Sequence, residues 1–582
     1  MKKILLFVVF LLSAVSLFAG PIGEQRARQI AENFFASHST RSISGAITLE
    51  WAGDSIGAKS AEGSALNTSL MYIYNRGNKD GFVVVAGDSN VTPIIAYSLD
   101  TTLDTSNMAE ATETILDAWC RQVESARQAA KPISGTAMRA AMRSNDAVRY
   151  ETALWNQNAP FCYEAPVIDG YYSATGCVAT AMSIICYYHR WPERGVGTTP
   201  AYEYTDAYGY TRNVAANTLG RTYNYDNMLM NYNNGYTEAQ GKAVAALMKD
   251  MGTSVYMQYH PEGSGAYPND VIKAFSTYFG YSKSIQLVFG VNYSAEEWSD
   301  IVRENIRNYG PTYFSASSDN GGHAFVADGF DSGDYFHFNF GWGGYGNGYF
   351  LLPSIEYYMN QKIILGLEPD KDGTSVYRDN LCLYASGSYN GIAPYEVTSY
   401  ATGSSFYCLV GGLYNIGVQT FNGEIKLVLC DRDGNWKEEL STLELSIDPG
   451  YIGYADNYDY VTITEQLQEG DCLQLYYKAY NCNEWQRARC YDESAVDEVL
   501  VMGSPEDMAE GFYFAYDKSA QKIYLGNTHA MHIYIYNDET NEAIGWADLE
   551  LNTVGTLTNL PSGTYRIEAS LGSEPYVFKV KL

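Results

Sequence analysis

The first part of the chain shows two helical patterns of apolar residues with strand-like runs between them. Apolar residues recur every three or four positions in residues 26–35 and again in 109–129, which predicts two amphipathic helices. Between these helices, Met71–Tyr74 and Gly81–Ala86 are short apolar runs of the kind found in strands. The pattern therefore predicts a small α+β region at residues 21–146.

The last third of the chain consists of short alternating runs separated by turn residues. These runs are Glu424–Leu429, Leu473–Tyr477, Ala530–Tyr536 and Gly563–Ala569. Their spacing is typical of β-sandwiches, and a polar break at Gly503–Glu510 divides the region into modules at 374–502 and 511–582. Residues 147–369 mix helical, glycine-rich and aromatic stretches. The predicted fold class is therefore α+β, followed by two all-β sandwich-like modules.

The first twenty residues have the pattern of a secretory signal peptide. Met1-Lys2-Lys3 precedes an apolar run from Ile4 to Leu12, and small residues follow up to Gly20. The run is shorter than the roughly 20 apolar residues that a membrane-spanning helix needs. We expect residues 1–20 to be removed, and the exported chain to have no transmembrane segment.

The charge balance bears on the kind of partner. The 582 residues include 67 Asp and Glu against 38 Lys and Arg, a formal net charge of −29. This balance argues against a nucleic-acid partner, because neutralising phosphates requires clustered Lys and Arg. Within this acidic chain, the stretch at 130–150 is basic: it consists of small and polar residues and carries Arg139, Arg143 and Arg149. Its composition predicts an exposed linker that proteases cut.

The ten cysteines do not suggest a metal site. No pair has CxxC spacing, and no histidine lies near them in a zinc-like pattern, so we expect no metal and no cofactor. Export makes disulfides possible. Cys162 and Cys186 flank Cys177 in sequence and are either a disulfide pair or two core thiols.

The segment 174–185 places Cys177 where a helix is expected to begin. Gly176 allows a sharp turn, and small or apolar residues then continue in a helix-compatible way until Pro192. Backbone N–H groups and the helix dipole at such an end stabilise a thiolate, which is the form that attacks a carbonyl carbon. Cys177 is therefore a candidate nucleophile, with a buried core cysteine as the alternative.

Two later segments supply the residue types that a nucleophilic cysteine needs. Gly321 and Gly322 precede His323 at the start of an alternating strand, which makes His323 a candidate general base and acid. Asn339 lies sixteen residues later, a spacing that fits a hairpin bringing its amide oxygen to the imidazole N–H. Trp342 would shield that bond from water. The alternatives are an ordinary histidine and a glycine–aromatic turn without chemistry.

Together, this order and the residues around it resemble the streptopain family of papain-like cysteine peptidases. Three motifs carry the likeness: Ala-Thr-Gly-Cys-Val-Ala-Thr-Ala at 174–181, Gly-Gly-His-Ala-Phe-Val at 321–326 and Asn-x-Gly-Trp-Gly-Gly at 339–344. It extends to Trp-Asn-Gln at 155–157, and residues 81–88 look like part of the family's inhibitory prosegment. The resemblance covers residues 21–369.

The resemblance implies a papain-like catalytic domain at 147–369 and a secreted or cell-surface endopeptidase made as a zymogen. Its substrates would be proteins or peptides, and its own prosegment would be an intramolecular inhibitor. Cys177 would be the nucleophile and His323 the general base and acid, with Asn339 orienting His323 and Trp342 packing over the pair. The side chain of Gln157 would donate to the oxyanion beside the backbone N–H of Cys177.

Two positions depart from the family pattern. Phe340 stands where a tryptophan is expected, and Tyr171 stands six residues before Cys177, where papain has its oxyanion glutamine. Asp328 is near enough to serve as a third member, which keeps a transglutaminase-like or amidase enzyme open.

A non-enzymatic alternative is a surface adhesion or host-binding protein with an inactive peptidase domain. Residues 511–582 resemble the small immunoglobulin-like C-terminal modules of secreted Bacteroidetes proteins, some of which are sorting signals. A structural or adhesive module is the alternative for this region.

Overall fold

The structure is a computed structural model. It describes residues 20–38, 45–56, 58–129, 147–318, 321–352, 361–385, 391–395, 403, 405–453, 458–468, 470–492 and 495–502, and from residue 513 onward seven strands and one turn residue. The expected signal peptide up to residue 19, residues 130–146 of the expected linker at 130–150, and the break at 503–510 lie outside the described residues. The end of the expected linker is not a free segment, because Val148–Arg149 forms a strand that pairs with Gly329 and Phe330.

The chain divides into two compact units. The first comprises residues 1–147 together with 331–336 and 345–353, and the second comprises 148–330, 337–344 and 354–582. The described residues form six α-helices, at Glu24–His38 (α1), Glu110–Ala129 (α2), Cys177–His189 (α3), Glu238–Ser254 (α4), Asn269–Tyr278 (α5) and Ala295–Tyr309 (α6).

Strands of the first unit and of the central region are numbered in chain order. They are Ile47–Gly53 (β1), Met71–Arg76 (β2), Phe82–Ala86 (β3), Ile94–Ser98 (β4), Val148–Arg149 (β5), Val167–Ile168 (β6), Tyr171–Tyr172 (β7), Thr198–Thr199 (β8), Tyr202–Thr205 (β9), Thr211–Val214 (β10), Asn217–Thr218 (β11), Gln286–Phe289 (β12), Thr312–Ser318 (β13), Gly321–Phe330 (β14), Phe336–Asn339 (β15), Gly348–Phe350 (β16) and Lys362–Leu365 (β17).

The first unit is a helix packed on an antiparallel sheet. Its strands run in the order β1-β2-β3-β4-β16, so the sheet takes its last strand from residues 348–350. Helix α1 buries Ala27, Ala31 and Phe35, which recur every four residues, against the face of β2 and β3. The two helices and two strands predicted for this region from the apolar pattern are confirmed.

The second unit begins with helices packed on a second run of strands. These strands follow the order β15-β14-β13-β17-β12, and β5 pairs with β14. Helix α3 is almost entirely apolar, and its residues from Val178 to Tyr187 are buried in the central core. Burial on all sides explains why this segment shows little amphipathic period in the sequence.

The region after residue 374 is built of strands, as its alternating pattern predicts. Sheets β24-β21-β18-β28, β19-β20-β25 and β23-β22-β26-β27, with β29 beside β26, enclose a core of their own. Their strands are Leu381–Leu383 (β18), Ile392–Tyr395 (β19), Ser405–Val410 (β20), Leu413–Asn415 (β21), Phe421–Cys430 (β22), Trp436–Ile447 (β23), Ile452–Gly453 (β24), Tyr458–Thr462 (β25), Asp471–Ala479 (β26), Gln486–Arg487 (β27), Arg489–Cys490 (β28) and Glu498–Met502 (β29).

The last part of the chain forms two further sheets, β30-β31-β34 and β33-β32-β35-β36. Their strands are Tyr513–Asp517 (β30), Lys522–Gly526 (β31), Met531–Asn537 (β32), Ala543–Leu549 (β33), Val554–Thr558 (β34), Thr564–Ser570 (β35) and Pro575–Lys581 (β36). Among the described residues, no helix combines the length and hydropathy that crossing a bilayer requires.

The region that the sequence predicts as a module at 374–502 contacts the central region through side-chain amides. Asn292 donates to the carbonyl oxygen of Cys490 at 2.8 Å and accepts from its N–H at 2.9 Å. Asn269 donates to the hydroxyl of Tyr491 at 3.0 Å, and the ammonium of Lys362 lies 4.9 Å from the centre of the Tyr491 ring. The module is therefore part of the same compact unit as the central region.

Candidate active site

Cys177 is the first residue of helix α3, as the sequence predicts. The turn before it requires glycine, because Gly176 has a φ of +83°. A Cβ atom at Gly176 would also lie 2.6 Å from Sδ of Met257 and 2.9 Å from the carbonyl oxygen of Ser264. The first N–H groups of a helix lack intrahelical partners, so Cys177 lies where an anionic sulfur is stabilised.

The other cysteines provide a contrast with Cys177. None of the ten forms a disulfide in the structure, and all are buried except Cys177 and Cys482. Burial raises the pKa of the Cys186 thiol to about 12, and this sulfur accepts a hydrogen bond from Tyr281 at 3.7 Å. Burial likewise raises the pKa of Cys162. In this structure Cys162 and Cys186 are therefore two core thiols, which was the second of the two expected arrangements.

His323 is buried near the start of β14, opposite Ala316 of β13. Its Nε2 atom lies 3.0 Å from the carbonyl oxygen of Phe340. A carbonyl oxygen only accepts hydrogen bonds, so this contact assigns the proton of the neutral imidazole to Nε2. Nδ1 is then the basic nitrogen, as a general base requires.

The Asn339 amide differs from the expected geometry. Its oxygen accepts from the N–H of Gly341 at 3.2 Å, and its nitrogen donates to the hydroxyl of Thr152 and to the carbonyl of Ala153, both at 2.9 Å. Nε2 of His323 instead donates to the backbone carbonyl of Phe340, the residue after Asn339. Sequence reasoning missed Phe340 in this role because a main-chain acceptor leaves no side-chain signal.

The glycine-rich turn after Asn339 packs on the first turn of α3. Gly341 has a φ of +71°, and a Cβ atom there would lie 3.0 Å from Cγ2 of Thr180. The N–H of Gly343 donates to the carbonyl of Trp155 at 2.7 Å. Trp342 is half-buried in this turn, and its indole N–H has no hydrogen-bond partner within the described part of the chain. The turn thus brings the Trp342 segment, the Trp-Asn-Gln segment and the cysteine helix together.

Gln157 lies beside the turn that precedes the cysteine. Its carbonyl oxygen accepts from the N–H of Thr175 at 3.0 Å and from the hydroxyl of Thr175 at 3.3 Å. Its own N–H donates to the amide oxygen of Asn156 at 2.6 Å. The backbone of Gln157 is therefore bonded to Thr175, which lies two residues before Cys177. The side chain of Gln157 is half-buried.

Two further groups belong to this neighbourhood. Tyr313 of β13 is fully buried, and its pKa is raised well above its usual value, first by burial and then by the nearby Cys177. Asp328, the alternative third member, contacts His337, Thr152 and Arg149 through its carboxylate. In the described residues, no group of three or more His, Cys, Asp or Glu side chains is placed to hold a metal ion.

Comparison with known protein families finds two matched regions. The peptidase C10 family matches residues 155–350, a range that includes every candidate site residue named above. The Spi protease inhibitor family matches residues 19–123, which precede it in the chain.

Two curated relatives match more than half of this chain. Streptopain from Streptococcus pyogenes is 30% identical over an alignment of 351 positions, which covers 56% of this chain and 87% of streptopain. The thiol protease/hemagglutinin PrtT from Porphyromonas gingivalis is 31% identical over an alignment of 394 positions, which covers 63% of this chain. The match covers 44% of PrtT, so the chain spans less than half of that relative.

Solved structures of interpain A are also similar to this chain. A fragment of Prevotella intermedia prointerpain A matches with a TM-score of 0.46 and 27% identity, covering 56% of this chain and 99% of the fragment. Active interpain A from the same organism matches with a TM-score of 0.34 and 31% identity, covering 38% of this chain and 95% of that structure.

Proposed function

Because this chain belongs to the peptidase C10 family, the streptopain family of cysteine peptidases, we propose that it hydrolyses peptide bonds in proteins with Cys177 as its nucleophile. The observation that carries the proposal is the position of Cys177, half-exposed as the first residue of α3. Thr180 of that same helical turn packs against Gly341, the residue after the Phe340 carbonyl that accepts from His323. His323 is the general base and acid, and no cofactor takes part in the reaction.

The proposed reaction follows from the direction of the His323 hydrogen bond. With Nε2–H donated to the Phe340 carbonyl, Nδ1 takes the proton of the Cys177 thiol, and the thiolate attacks the peptide carbonyl carbon. The oxyanion accepts from the backbone N–H of Cys177 and from the side-chain amide of Gln157. The imidazolium then protonates the leaving amine, and water, deprotonated by His323, hydrolyses the thioester and restores the thiol.

In the same proposal the chain is made as a zymogen, and residues 21–146 are the inhibitory prosegment. The match of residues 19–123 to a protease inhibitor family supports this assignment. Pairing within the first unit supports it as well, because β4 of the N-terminal region pairs with β16, through Tyr97 opposite Tyr349. Residues 348–350, which follow the Trp342 turn, are thus held by a strand that activation would remove.

The proposal extends to the domain boundaries and the location of the protein. The papain-like peptidase domain occupies 147–369, and β-sandwich modules occupy 374–502 and 511–582. The two sheets after residue 512 support an immunoglobulin-like form for the last module, which would act in sorting. The signal-like residues 1–20 support a secreted or outer-surface protein.

Hydrolysis of casein by the processed chain tests the proposal, with Cys177→Ala as the paired variant. We expect the wild-type chain to cleave casein and to be labelled at one cysteine by a peptidyl epoxide, and the variant to do neither. Labelling at Cys482 instead of Cys177, or full activity of the variant, would overturn the assignment.

A further inference from the structure

A fully buried carboxylate lies two hydrogen bonds from the turn that holds His323. Asp328 Oδ1 is 2.6 Å from Nδ1 of His337, and Oδ2 accepts from the Thr152 hydroxyl at 2.5 Å and lies 2.9 Å from Nη1 of Arg149. Asp328 is 0% exposed and His337 5% exposed. Because an unpaired buried charge is costly, these partners hold the carboxylate in one position.

The hydroxyl of Thr152 links the Asp328 carboxylate to the Asn339 amide by two hydrogen bonds. A carboxylate accepts from Thr152, so the single hydroxyl proton of Thr152 is donated to Asp328. The same oxygen lies 2.9 Å from Nδ2 of Asn339 and therefore accepts from it. This direction agrees with the other two bonds of the Asn339 amide, in which the Ala153 carbonyl accepts from the nitrogen and the N–H of Gly341 donates to the oxygen.

The fixed amide constrains the backbone on both sides of Phe340. Asn339 is tied to Thr152 and to the carbonyl of Ala153, and through its oxygen to Gly341. Phe340 lies between the two tied residues, and its carbonyl accepts from His323. The direction of that carbonyl thus depends on a chain of bonds that starts at Asp328.

We propose that Asp328 and Thr152 are positioning residues of the peptidase reaction, which fix the Asn339 amide and thereby the Phe340 carbonyl that orients His323. The inference rests on the proposed function, since it assigns a role only if His323 is the general base and acid. Asp328 thus acts through Thr152, Asn339 and the Phe340 carbonyl, and not as a third member in direct contact with the imidazole.

The test compares Thr152→Val, which lacks the hydroxyl, with Thr152→Ser, which keeps it. In the processed full chain we expect Thr152→Val to lower kcat about 10- to 100-fold with KM within about twofold, because misplacing a catalytic group by a fraction of an ångström is costly. Thr152→Ser should retain at least half of the wild-type kcat. The pH dependence of Cys177 alkylation by iodoacetamide should change in Thr152→Val alone, since the thiolate depends on His323.

Asp250→Asn is the matched control for lost stability. Asp250 is also a buried carboxylate, 1% exposed, and it bonds to Arg221, Tyr223 and Asn217 away from the Asn339 turn. We expect this variant to unfold at lower temperature and to keep its kcat and its alkylation profile. If Thr152→Val does not fold, Asp328→Asn, which keeps the shape and removes the charge, replaces it with the same expected loss of kcat.

Three results would overturn the inference: a Thr152→Val enzyme with wild-type kcat, a Thr152→Ser enzyme as impaired as Thr152→Val, or an equal loss of kcat in Asp250→Asn. Each of these requires an active wild-type chain. A wild-type chain as inactive as Cys177→Ala would overturn the proposed function itself, so the two failures are distinguishable.

Discussion

The carbonyl oxygen of Phe340 lies 3.0 Å from Nε2 of His323, so the backbone supplies the acceptor that orients this imidazole. The position of a backbone acceptor depends on the path of the chain and not on the side chain of the residue that carries it. Phe340 itself packs with Phe325 and Phe338, at ring distances of 5.2 and 6.1 Å.

The first prediction concerns Phe340 and Gly341, which form the turn after Asn339. We expect Phe340→Leu to keep kcat within about threefold of wild type at a stability cost of about 1 kcal/mol, because the carbonyl is unchanged. Gly341→Ala should lower kcat by about 10- to 100-fold, since a methyl group there meets Thr180 and an alanine disfavours a φ of +71°. Peptide hydrolysis by the processed enzymes measures both.

Gly366→Ala is the control for Gly341→Ala. Gly366 has a similar φ of +69°, and a Cβ atom there would have nothing within 4 Å. A loss of kcat in Gly366→Ala equal to that in Gly341→Ala would contradict the role of the turn.

A second prediction concerns the turn before the nucleophile. Gly176→Ala combines an unfavourable φ of +83° with approaches to Met257 and Ser264, so we expect it to destabilise the chain by at least about 2 kcal/mol. Gly209 has nearly the same φ, +84°, and a Cβ atom there would have nothing within 4 Å, so Gly209→Ala is the control. Urea unfolding should show the larger loss for Gly176→Ala, and equal losses would contradict the crowding argument.

A third prediction concerns pH. Burial, with the charge of Lys371 as a smaller cause, lowers the pKa of His189 to about 4 from its usual 6.5. Between these values the unfolded chain binds a proton at His189 and the folded chain does not, so stability falls as pH falls. Relative to His189→Phe, we expect the wild-type chain to lose about 3 kcal/mol between pH 7 and pH 4. Parallel pH profiles of the two chains would contradict this.

Asp270 should change the stability of the chain with pH in the direction opposite to His189. Burial raises its pKa to about 6, so between pH 6 and pH 4 the folded chain binds the proton more readily than the unfolded chain. Relative to Asp270→Asn, the wild-type chain should therefore gain stability as pH falls. Urea unfolding at several pH values measures both residues, and a loss of stability in place of the gain would be inconsistent with the burial of Asp270.

A fourth prediction concerns the docked module. Asn292→Ala leaves the backbone N–H and carbonyl of Cys490 without this partner, which should cost about 1–3 kcal/mol. Limited proteolysis should then release fragments of the 374–502 module sooner than in wild type. Asn435→Ala, which removes a side-chain amide bonded to the Asp431 carboxylate in an exposed turn, should leave the digestion rate unchanged.

A fifth prediction places the new N-terminus of the active enzyme. A protease binds an extended chain that is free of other pairing, and β5 is already paired with β14 through Arg149 and Gly329. We therefore expect cleavage before Val148 and after residue 129, which leaves the Arg149–Asp328 ion pair in the enzyme. N-terminal sequencing of the mature form checks this, and a start at residue 129 or earlier, or at Arg149 or later, would be inconsistent with it.

The sequence predicted those parts of the molecule that side chains encode directly. Cys177 at a helix start follows from Gly176 and the small residues after it, and the strands after residue 374 follow from simple alternation. The pairing of β4 with β16 joins residues about 250 positions apart and has no local pattern. The acceptor for His323 is a carbonyl, which every residue has, so composition and spacing carry no information about it.

The assignment of Asp328 shows the same limit. Its spacing from His323 made it an alternative third member of the catalytic site, whereas its contacts with His337, Thr152 and Arg149 depend on three segments that meet only in the folded chain. Sequence gives the residue types of such a network, and the fold determines which of them touch.

The buried free thiols give this chain a set of internal reporters of local opening. Cys120 lies in the first unit, Cys186 in the core around α3, and Cys408 in the core of the 374–502 module, and all three are at most 2% exposed. A thiol that is inaccessible in the folded state reacts only when its surroundings open, so its alkylation rate measures the free energy of that opening. Mass spectrometry of one labelling time course would therefore order the opening of three regions without any mutation.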